Sequence, residues 1–204
     1  MPKPSMDVDH FTQSLRTKSL TPIPISNELW KSDREQIVSR NADAVADAVA
    51  PLLRMSREIF FIDPHFGPER ARYRHAVQKF LERALNSERR TPVTRIEIHT
   101  NATSDINFFS SECRRRLCPI IPNGVRIRLV RWTERPNGEK LHNRFILTDI
   151  GGISFRTGLD AGAEGQTDEI SLLTPDVYRV RFEQYIGSDP AYNFVDDVTI
   201  AGTG

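Results

Sequence analysis

The chain has 204 residues, of which 38% are hydrophobic and 27% charged, and this is the composition of a globular domain with a full core. Its formal net charge is +1, so bulk charge does not indicate nucleic acid, although 28 basic side chains can still cluster locally. No apolar run approaches the roughly 18 residues that a membrane-spanning helix needs, and the N-terminus lacks the pattern of a secretory signal. We therefore expect no transmembrane segment and a cytoplasmic protein.

The first 30 residues differ from the rest of the chain. Four prolines and few periodic apolar residues in this segment predict an extended or partly disordered arm, which leaves residues 31–204 as the folded domain. Behind a cap at Ser32 or Asp33, apolar residues from Ile37 to Leu53 recur at helical spacing and predict the first helix.

The remaining elements alternate between helix and strand in the first half of the domain. A wholly apolar run closed by Asp63-Pro64 predicts a buried strand at residues 57–63. The later patterns predict, in order, a helix over 73–85, a strand over 93–100, a helix over 105–118, strands over 125–132, 141–149, 153–157 and 169–173, and a helix that starts at Pro175 behind a Thr174 cap. The segment after Gly187 is rich in turn residues and receives no element. The predicted fold class is α/β, with a mixed, mainly parallel sheet and helices on both faces.

The cysteines argue for neither a disulfide nor a metal site. Cys113 and Cys118 lie on a predicted helix at a spacing that points them apart, and no second pair completes a zinc site. Two thiols in a reducing compartment are the simpler interpretation.

The strand predicted over residues 141–149 carries the most informative pair of side chains. His142 and Arg144 are two residues apart, which places them on one face of a strand. Neutral imidazole is a nucleophile near pH 7, and a guanidinium group grips phosphate through two parallel hydrogen bonds. The pair therefore fits phosphoryl chemistry, and the alternative is that both side chains simply hydrogen-bond within the sheet.

The spacing of this segment resembles a known motif. His142-x-Arg144-x4-Asp149 is similar to the His-x-Lys-x4-Asp motif of the phospholipase D superfamily, with arginine in place of lysine. Thr157-Gly158-Leu159-Asp160 approximates the family's downstream Gly-Ser-x-Asn segment if one residue is inserted.

The order of further short motifs resembles one branch of that superfamily. It is similar to the phospholipase-D-like domain at the C-terminus of proteins that carry an N-terminal microtubule-interacting-and-trafficking domain. The shared segments, spread over about residues 35–186, are Asp63-Pro64-His65-Phe66, Ile96-Glu97-Ile98-His99-Thr100, Asn123-Gly124-Val125 and Gly158-Leu159-Asp160.

The resemblance implies a role for each matching residue. His142 would attack phosphorus and form a phosphohistidine intermediate, and Arg144 would hold the non-bridging oxygens. Asp149 would support the histidine or its loop, and Thr157 and Asp160 would line the phosphate site. No metal or cofactor is implied.

The superfamily uses a second histidine, from a second copy of the motif, to protonate the leaving group, whereas this chain has one copy. A two-fold homodimer that brings His142 to His142 would supply it. Use of His65 or His99 within one chain is the alternative. For His99 itself, strand parity favours a solvated or interface position.

A second basic feature precedes the motif. Arg126 and Arg128 share a face of their predicted strand and form a basic stripe, which suits the backbone of a nucleic acid or an anionic headgroup. A solvated face paired with acidic neighbours explains them equally well.

The leading hypothesis is a phospholipase-D-like phosphodiesterase, specifically a metal-independent nuclease that works as a homodimer on a nucleic-acid phosphodiester. The competing hypothesis is a catalytically inactive phosphate-binding module that docks anionic lipid headgroups or nucleic acid within a larger complex.

Overall fold

The computed structural model describes residues 34–87, 89 and 91–204, so the arm predicted over residues 1–30 lies outside the described residues. The elements in chain order are β1 (Glu35–Ser39), α1 (Ala42–Met55), β2 (Glu58–Ile62), α2 (Ala71–Ala84), β3 (Arg95–Asn101), α3 (Ile106–Leu117), β4 (Arg126–Thr133), β5 (Arg144–Thr148), β6 (Gly152–Phe155), β7 (Thr167–Leu172), α4 (Pro175–Ile186) and β8 (Asn193–Ala201). A short 3-10 helix, Cys118–Ile120, follows α3. In the part of the chain that the structure describes, no helix has the length and apolar character needed to cross a membrane.

All eight strands belong to one sheet, in the order β1-β7-β6-β5-β2-β3-β4-β8. The fold is α/β and the sheet is mixed, as the sequence predicted. The prediction that the sheet is mainly parallel was wrong. Only the pairs β2/β3 and β3/β4 are parallel. The other neighbours pair antiparallel.

The chain connections explain this excess of antiparallel pairs. Parallel neighbours need a long crossover, and α2 and α3 supply one each between β2, β3 and β4. The turn from β5 to β6 spans only Asp149, Ile150 and Gly151, which permits only an antiparallel pair. The strand β5 then inserts beside β2 rather than beside β4, and runs against it.

The helices cover both faces of the sheet, as predicted. Apolar side chains of α1, α2 and α3 pack with those of alternate strand positions, such as Phe61 and Ile98, in the larger core. The helix α4 covers the other face, where Tyr185 packs with Phe60 and Trp132 in a smaller core. Successive residues of β2 face opposite sides of the sheet, so Phe61 lies in the larger core and Phe60 in the smaller one.

The first predicted helix was partly wrong, because its N-terminal third is the strand β1. Residues Glu35–Ser39 pair antiparallel with β7, and this pairing supplies backbone hydrogen bonds that the sequence pattern cannot show. The helix starts behind Asn41, whose side chain accepts a hydrogen bond from the backbone N–H of Ala44 at 2.8 Å. Val38 faces the core from the strand, which explains why its spacing resembled a helical repeat.

The strand β8 was not predicted. Its exposed residues and the charged pair Asp196-Asp197 hide the alternation that marks Val198 and Ile200 as core positions. These residues lie at one margin of the sheet, where a strand presents charge to solvent. The predictions for the other helices and strands are confirmed to within a few residues at their ends, including the Thr174 cap of α4.

Candidate functional site

The candidate residues concentrate at one end of the sheet. At this end, which we call the site end, β2 finishes before Asp63, β3 finishes at Asn101 and β5 begins at Arg144. Register brings them together, because Ile62 lies opposite Phe145, and Arg144 lies opposite Phe155 of β6. The carboxyl ends of parallel strands are where α/β sheets place their ligand sites.

His142 lies at the site end but not in the strand. The strand β5 begins at Arg144, so His142 occupies an exposed turn and the period-two relation between the two side chains does not apply. Its Nδ1 lies 3.2 Å from the carbonyl oxygen of Lys140. Since a carbonyl only accepts, Nδ1 is the donor in this contact, and Nε2 has no hydrogen-bond partner among the described residues.

Arg144 is half-buried at the first position of β5. Within the described ranges, it forms no salt bridge, and its buried Nε has no hydrogen-bond partner. Its charge nevertheless acts on the site, because it partly opposes the rise that burial causes in the pKa of Asp63. A guanidinium group that is partly desolvated and keeps free donors is suited to an anionic ligand.

Asp63 connects the two loops of the site end. One carboxylate oxygen accepts from the backbone N–H of His65 at 2.9 Å, and the other accepts from the N–H of Leu159 at 2.9 Å. Burial raises the pKa of Asp63, and the two N–H donors and Arg144 oppose that rise. The Asp63-Pro64 strand end was a secondary candidate from the sequence, and the structure makes it the central carboxylate of the site.

Asp160 is buried and ion-paired rather than open to a phosphate. Arg40 Nη2 contacts it at 2.7 Å and Arg72 Nε at 3.1 Å. A Cβ on Gly158 would lie 2.5 Å from one oxygen of Asp160 and 3.4 Å from one of Asp63, so the two carboxylates border the same glycine.

Arg40 and Arg72 could not be identified from sequence patterns, because neither lies near a motif. Together with Arg144 they bring three guanidinium groups to the site end. Arg40 and Arg72 pair with Asp160, whereas Arg144 forms no salt bridge among the described residues and is available to an anionic ligand.

Thr157 is engaged with Asp168, the second residue of β7. Its backbone N–H and its hydroxyl both donate to one carboxylate oxygen of Asp168, at 3.1 Å and 3.0 Å. Thr157 and Asp168 also line an open cavity of about 280 Å³ beside the exposed side chains of Arg156 and Ile37. Thr157 therefore borders the site end, and its hydroxyl group already donates to the carboxylate of Asp168.

Asp149 lies at the other end of the sheet, which we call the far end. It follows β5 and accepts hydrogen bonds from the backbone N–H groups of Arg57 at 2.8 Å and Glu58 at 3.1 Å. It thus fixes the start of β2 beside the end of β5. The length of β5 separates Asp149 from His142, so the two residues of the motif do not meet.

The arginine stripe on β4 is partly neutralised. Arg128 forms salt bridges with Glu97 at 3.3 Å and with Asp197 of β8, whereas Arg126 is exposed at the far end. The acidic partner on β8 is the residue that sequence analysis could not place. Arg128 is therefore tied to two carboxylates.

His99 is buried beneath α4, so its predicted solvated or interface position was wrong. Trp132 Nε1 donates to His99 Nδ1 at 3.0 Å, and His99 Nε2 lies 3.0 Å from Glu97 Oε2. With both ring nitrogens engaged, His99 is not available to donate a proton at the site end. His65 is exposed there and is the histidine nearest in sequence to Asp63.

Neither the cysteine thiols nor the other potential metal ligands of the described residues form a metal site. Cys113 is buried and Cys118 half-buried, both are free, and burial raises the pKa of Cys113 to about 12. Among residues 34–87, 89 and 91–204, no three or more His, Cys, Asp or Glu side chains are grouped so as to hold a metal ion.

Comparisons with known proteins show a weak likeness in structure and none in sequence. No protein-family model and no curated protein matches the sequence. Among solved structures, the chain is similar to TrmBL2, described as an archaeal chromatin protein that shows a novel mode of DNA binding. The match covers 76% of this chain and 51% of that chain, with 12% identity and a TM-score of 0.35. The chain thus spans about half the length of that structure, and a likeness at this level carries no inference about activity.

Proposed function

We propose that this chain is a phospholipase-D-like half domain that binds and cleaves a phosphodiester at the site end, with Arg144 as the phosphate clamp and His142 as the nucleophile. The observation that carries the proposal is the guanidinium group of Arg144, which is half-buried without a salt bridge among the described residues. It lies at the same end of the sheet as a histidine whose Nε2 is free.

The proposed reaction has two displacements at phosphorus. In the first, Nε2 of His142 forms a bond to phosphorus as the bond to the leaving oxygen breaks, and an acid delivers a proton to that oxygen. In the second, water attacks the phosphohistidine, a base takes its proton, and the bond between phosphorus and Nε2 breaks. Arg144 stabilises the charge on the non-bridging oxygens in both steps.

We propose that the acid and base come from a second copy of the chain. His99 has both ring nitrogens engaged, so it supplies no proton. A two-fold homodimer would place the partner's His142 on the opposite side of the phosphate. The alternative acid and base within a single chain is His65, which is exposed at the same end of the sheet.

The proposed ligand is a nucleic acid, and the proposed compartment is the cytoplasm. Two free cysteines are consistent with a reducing compartment. The guanidinium group of Arg144, which forms no salt bridge among the described residues, suits a phosphodiester backbone.

A second candidate function is a phosphate-binding module without turnover. It is favoured by the position of Asp149, which holds the start of β2 and does not contact His142. Such a module, within a larger complex, would need Arg144 but not the nucleophile.

The deciding experiment is a nuclease assay in EDTA on single- and double-stranded DNA and RNA. Wild type and the His142→Ala and Arg144→Met variants are compared with His75→Ala, which removes an exposed histidine of α2 and serves as the matched control. We expect cleavage by wild type and His75→Ala, a loss of about 100-fold or more in His142→Ala, and a covalent phosphohistidine on His142 after alkaline quenching.

Two results separate the candidates. Binding that needs Arg144, with no cleavage of any substrate, supports the non-catalytic module. If both site variants bind and cleave as wild type does, the ligand site does not lie at His142 and Arg144. Light scattering with size-exclusion chromatography measures the dimer, and a monomer that still cleaves would assign the second proton transfer to His65.

A further inference from the structure

A cavity of about 130 Å³ opens at the site end, beyond the ends of β2 and β3. Its lining includes Pro64, His65, Arg70, Asn101, Thr103 and Phe108. His65 joins this cavity to the proposed phosphate site, because its backbone N–H donates to Asp63. Asp63 directly follows Ile62, which lies opposite Phe145, the neighbour of Arg144 in β5.

Three polar side chains of this cavity have no partner among the described residues, whereas its Glu69 and Arg70 form an ion pair at 3.3 Å. In the part of the chain that the structure describes, the side chains of Asn101, Thr103 and Ser104 make no hydrogen bonds, although Asn101 is half-buried. An amide offers a donor and an acceptor side by side, which matches the edge of a heteroaromatic ring.

Hydrogen bonds to backbone carbonyl groups hold the walls of the cavity in place. Thr100 donates its hydroxyl hydrogen bond to the carbonyl oxygens of Pro64 at 3.2 Å and Phe66 at 3.1 Å. Arg131 Nη1 donates to the carbonyl oxygen of Ser104 at 2.7 Å, and Ala102 N–H donates to that of Trp132 at 2.9 Å. A ligand would therefore meet a formed site rather than order a loose one.

Phe108 supplies an aromatic face at the rim. The ring is 54% exposed although the next residue, Phe109, is buried beneath the guanidinium group of Arg131. Phe108 is held in the first turn of α3, where Asp105 accepts from its backbone N–H at 3.2 Å and from that of Asn107 at 2.8 Å. A large aromatic ring fixed at the mouth of a polar cavity is the arrangement on which nucleic-acid bases stack.

We propose that this cavity holds a base of the nucleic-acid strand whose phosphodiester lies at Arg144, with Phe108 as the stacking surface and Asn101 contacting the edge of the base. The inference rests on the proposed function and names its substrate as a strand with an unpaired base.

Distance and shape both support a base. In the sheet, β5 and β3 are two β-strand spacings apart, which is about 10 Å. A nucleic-acid chain covers this distance in about three nucleotides at the ~3.4 Å spacing of a duplex, and in fewer when it is extended. The cavity is small, and its lining includes amide and hydroxyl groups and the Glu69–Arg70 ion pair, so it offers no apolar channel for an acyl chain.

The test measures binding of a fluorescent single-stranded DNA 12-mer by anisotropy, beside a matched 12-mer in which abasic sites replace the bases. The variants are Phe108→Ala, Phe108→Trp, Asn101→Ala and Arg144→Met. Phe194→Ala is the control, because Phe194 is also 54% exposed but contacts Trp132 on the other face of the sheet. Thermal melting confirms that each variant folds.

We expect Phe108→Ala to raise Kd for the normal strand at least about fivefold and to leave Kd for the abasic strand unchanged, because only the stacking contact is lost. Phe108→Trp should restore the Kd for the normal strand, and Phe194→Ala should change neither Kd. Arg144→Met should raise the Kd for both strands.

The contrary results are distinct. If Phe108→Ala leaves the normal strand unaffected while Arg144→Met weakens it, the base site is overturned and the phosphate site stands. If Phe108→Ala weakens both strands equally, the cavity does not recognise bases. If Arg144→Met changes nothing, the proposed function fails. Binding to vesicles that contain a phosphoinositide, with no binding to either strand, overturns both.

Discussion

Two clusters of charge in this protein use the same residue types to different ends. Beneath α4, Glu97 accepts from Arg95 Nε at 2.9 Å and contacts His99 at 3.0 Å, while the second nitrogen of His99 accepts from Trp132. At the site end, Asp63 and Asp160 are also satisfied, but the buried Nε of Arg144 has no partner among the described residues.

The difference separates a structural cluster from a candidate ligand site. A buried polar network whose members are all hydrogen-bonded holds its elements in one arrangement, here β3 against β4. A guanidinium group with unused donors at a strand end stabilises the fold less and is available to a ligand. The two clusters should therefore respond oppositely to substitution.

The largest effect should come from Glu97→Ala. Removing the carboxylate leaves the buried Nε2–H of His99 unpaired, and we expect the free energy of unfolding to fall by about 3 kcal/mol. Urea unfolding measures the loss. The matched control is Glu169→Ala, which breaks the exposed Arg156–Glu169 pair and should cost less than about 1 kcal/mol. Equal losses in both variants would show that the buried cluster is not structural.

The pH dependence of stability should come from the same cluster. Burial lowers the pKa of His99 below its ordinary 6.5. Although burial alone would raise the pKa of Glu97, hydrogen bonds from His99 and Arg95 outweigh it and lower that pKa from 4.5 to about 2. In both cases the unfolded chain binds more protons, so stability present above the ordinary pKa is lost as the pH falls.

We therefore expect the free energy of unfolding to decrease from about pH 6.5 downward, and again between about pH 4.5 and 2. Asp63 acts in the opposite sense, because its raised pKa makes protonation favour the folded state. Urea midpoints across this range measure the slope. His99→Leu should flatten the first decline, whereas His75→Ala, which removes an exposed histidine, should not; a decline that persists in His99→Leu would assign it to another group.

At the site end, Arg144→Met should separate binding from stability. The side chain gives up no salt bridge in the described part of the chain, so the free energy of unfolding should change by less than about 1 kcal/mol. Binding of a phosphodiester should weaken at least about tenfold, because a charged hydrogen bond is worth about 1.5 to 3 kcal/mol. Melting temperature and Kd, measured on the same sample, check this. A large loss of stability would place Arg144 in the structural class with Glu97.

Much of this arrangement could be predicted from the sequence, because periodicity and caps are local. The helices α2, α3 and α4 and the buried strand before Asp63 follow from such patterns. Strand pairing is not local. The prediction that residues of β1 belong to a helix was wrong, because the hydrogen bonds of this strand come from its antiparallel partner β7. The prediction of a mainly parallel sheet was wrong for the same reason.

The candidate site shows the same limit. The motif predicted that His142 and Arg144 share one face of a strand; this was wrong, because β5 begins at Arg144, although both residues lie at the site end. It did not show that Arg40 and Arg72 neutralise Asp160, because these contacts join residues far apart in sequence. The predicted strand over residues 141–149 does place His142 and Asp149 at opposite ends, whereas the motif implied that Asp149 supports the histidine; the structure shows that the two residues do not meet.

The smallest effect should come from Asp149→Ala, and it tests that last point. The substitution removes an acceptor from the backbone N–H groups of Arg57 and Glu58, so we expect a loss of about 1 kcal/mol in the free energy of unfolding. Because Asp149 lies at the far end, phosphodiester binding at Arg144 should stay within twofold of wild type. Urea unfolding and the anisotropy assay measure the two quantities, and Asp149→Asn, which keeps an acceptor, should recover part of the stability. A tenfold loss of binding without a loss of stability would instead make Asp149 part of the ligand site, and the contrast between the two ends of the sheet would no longer hold.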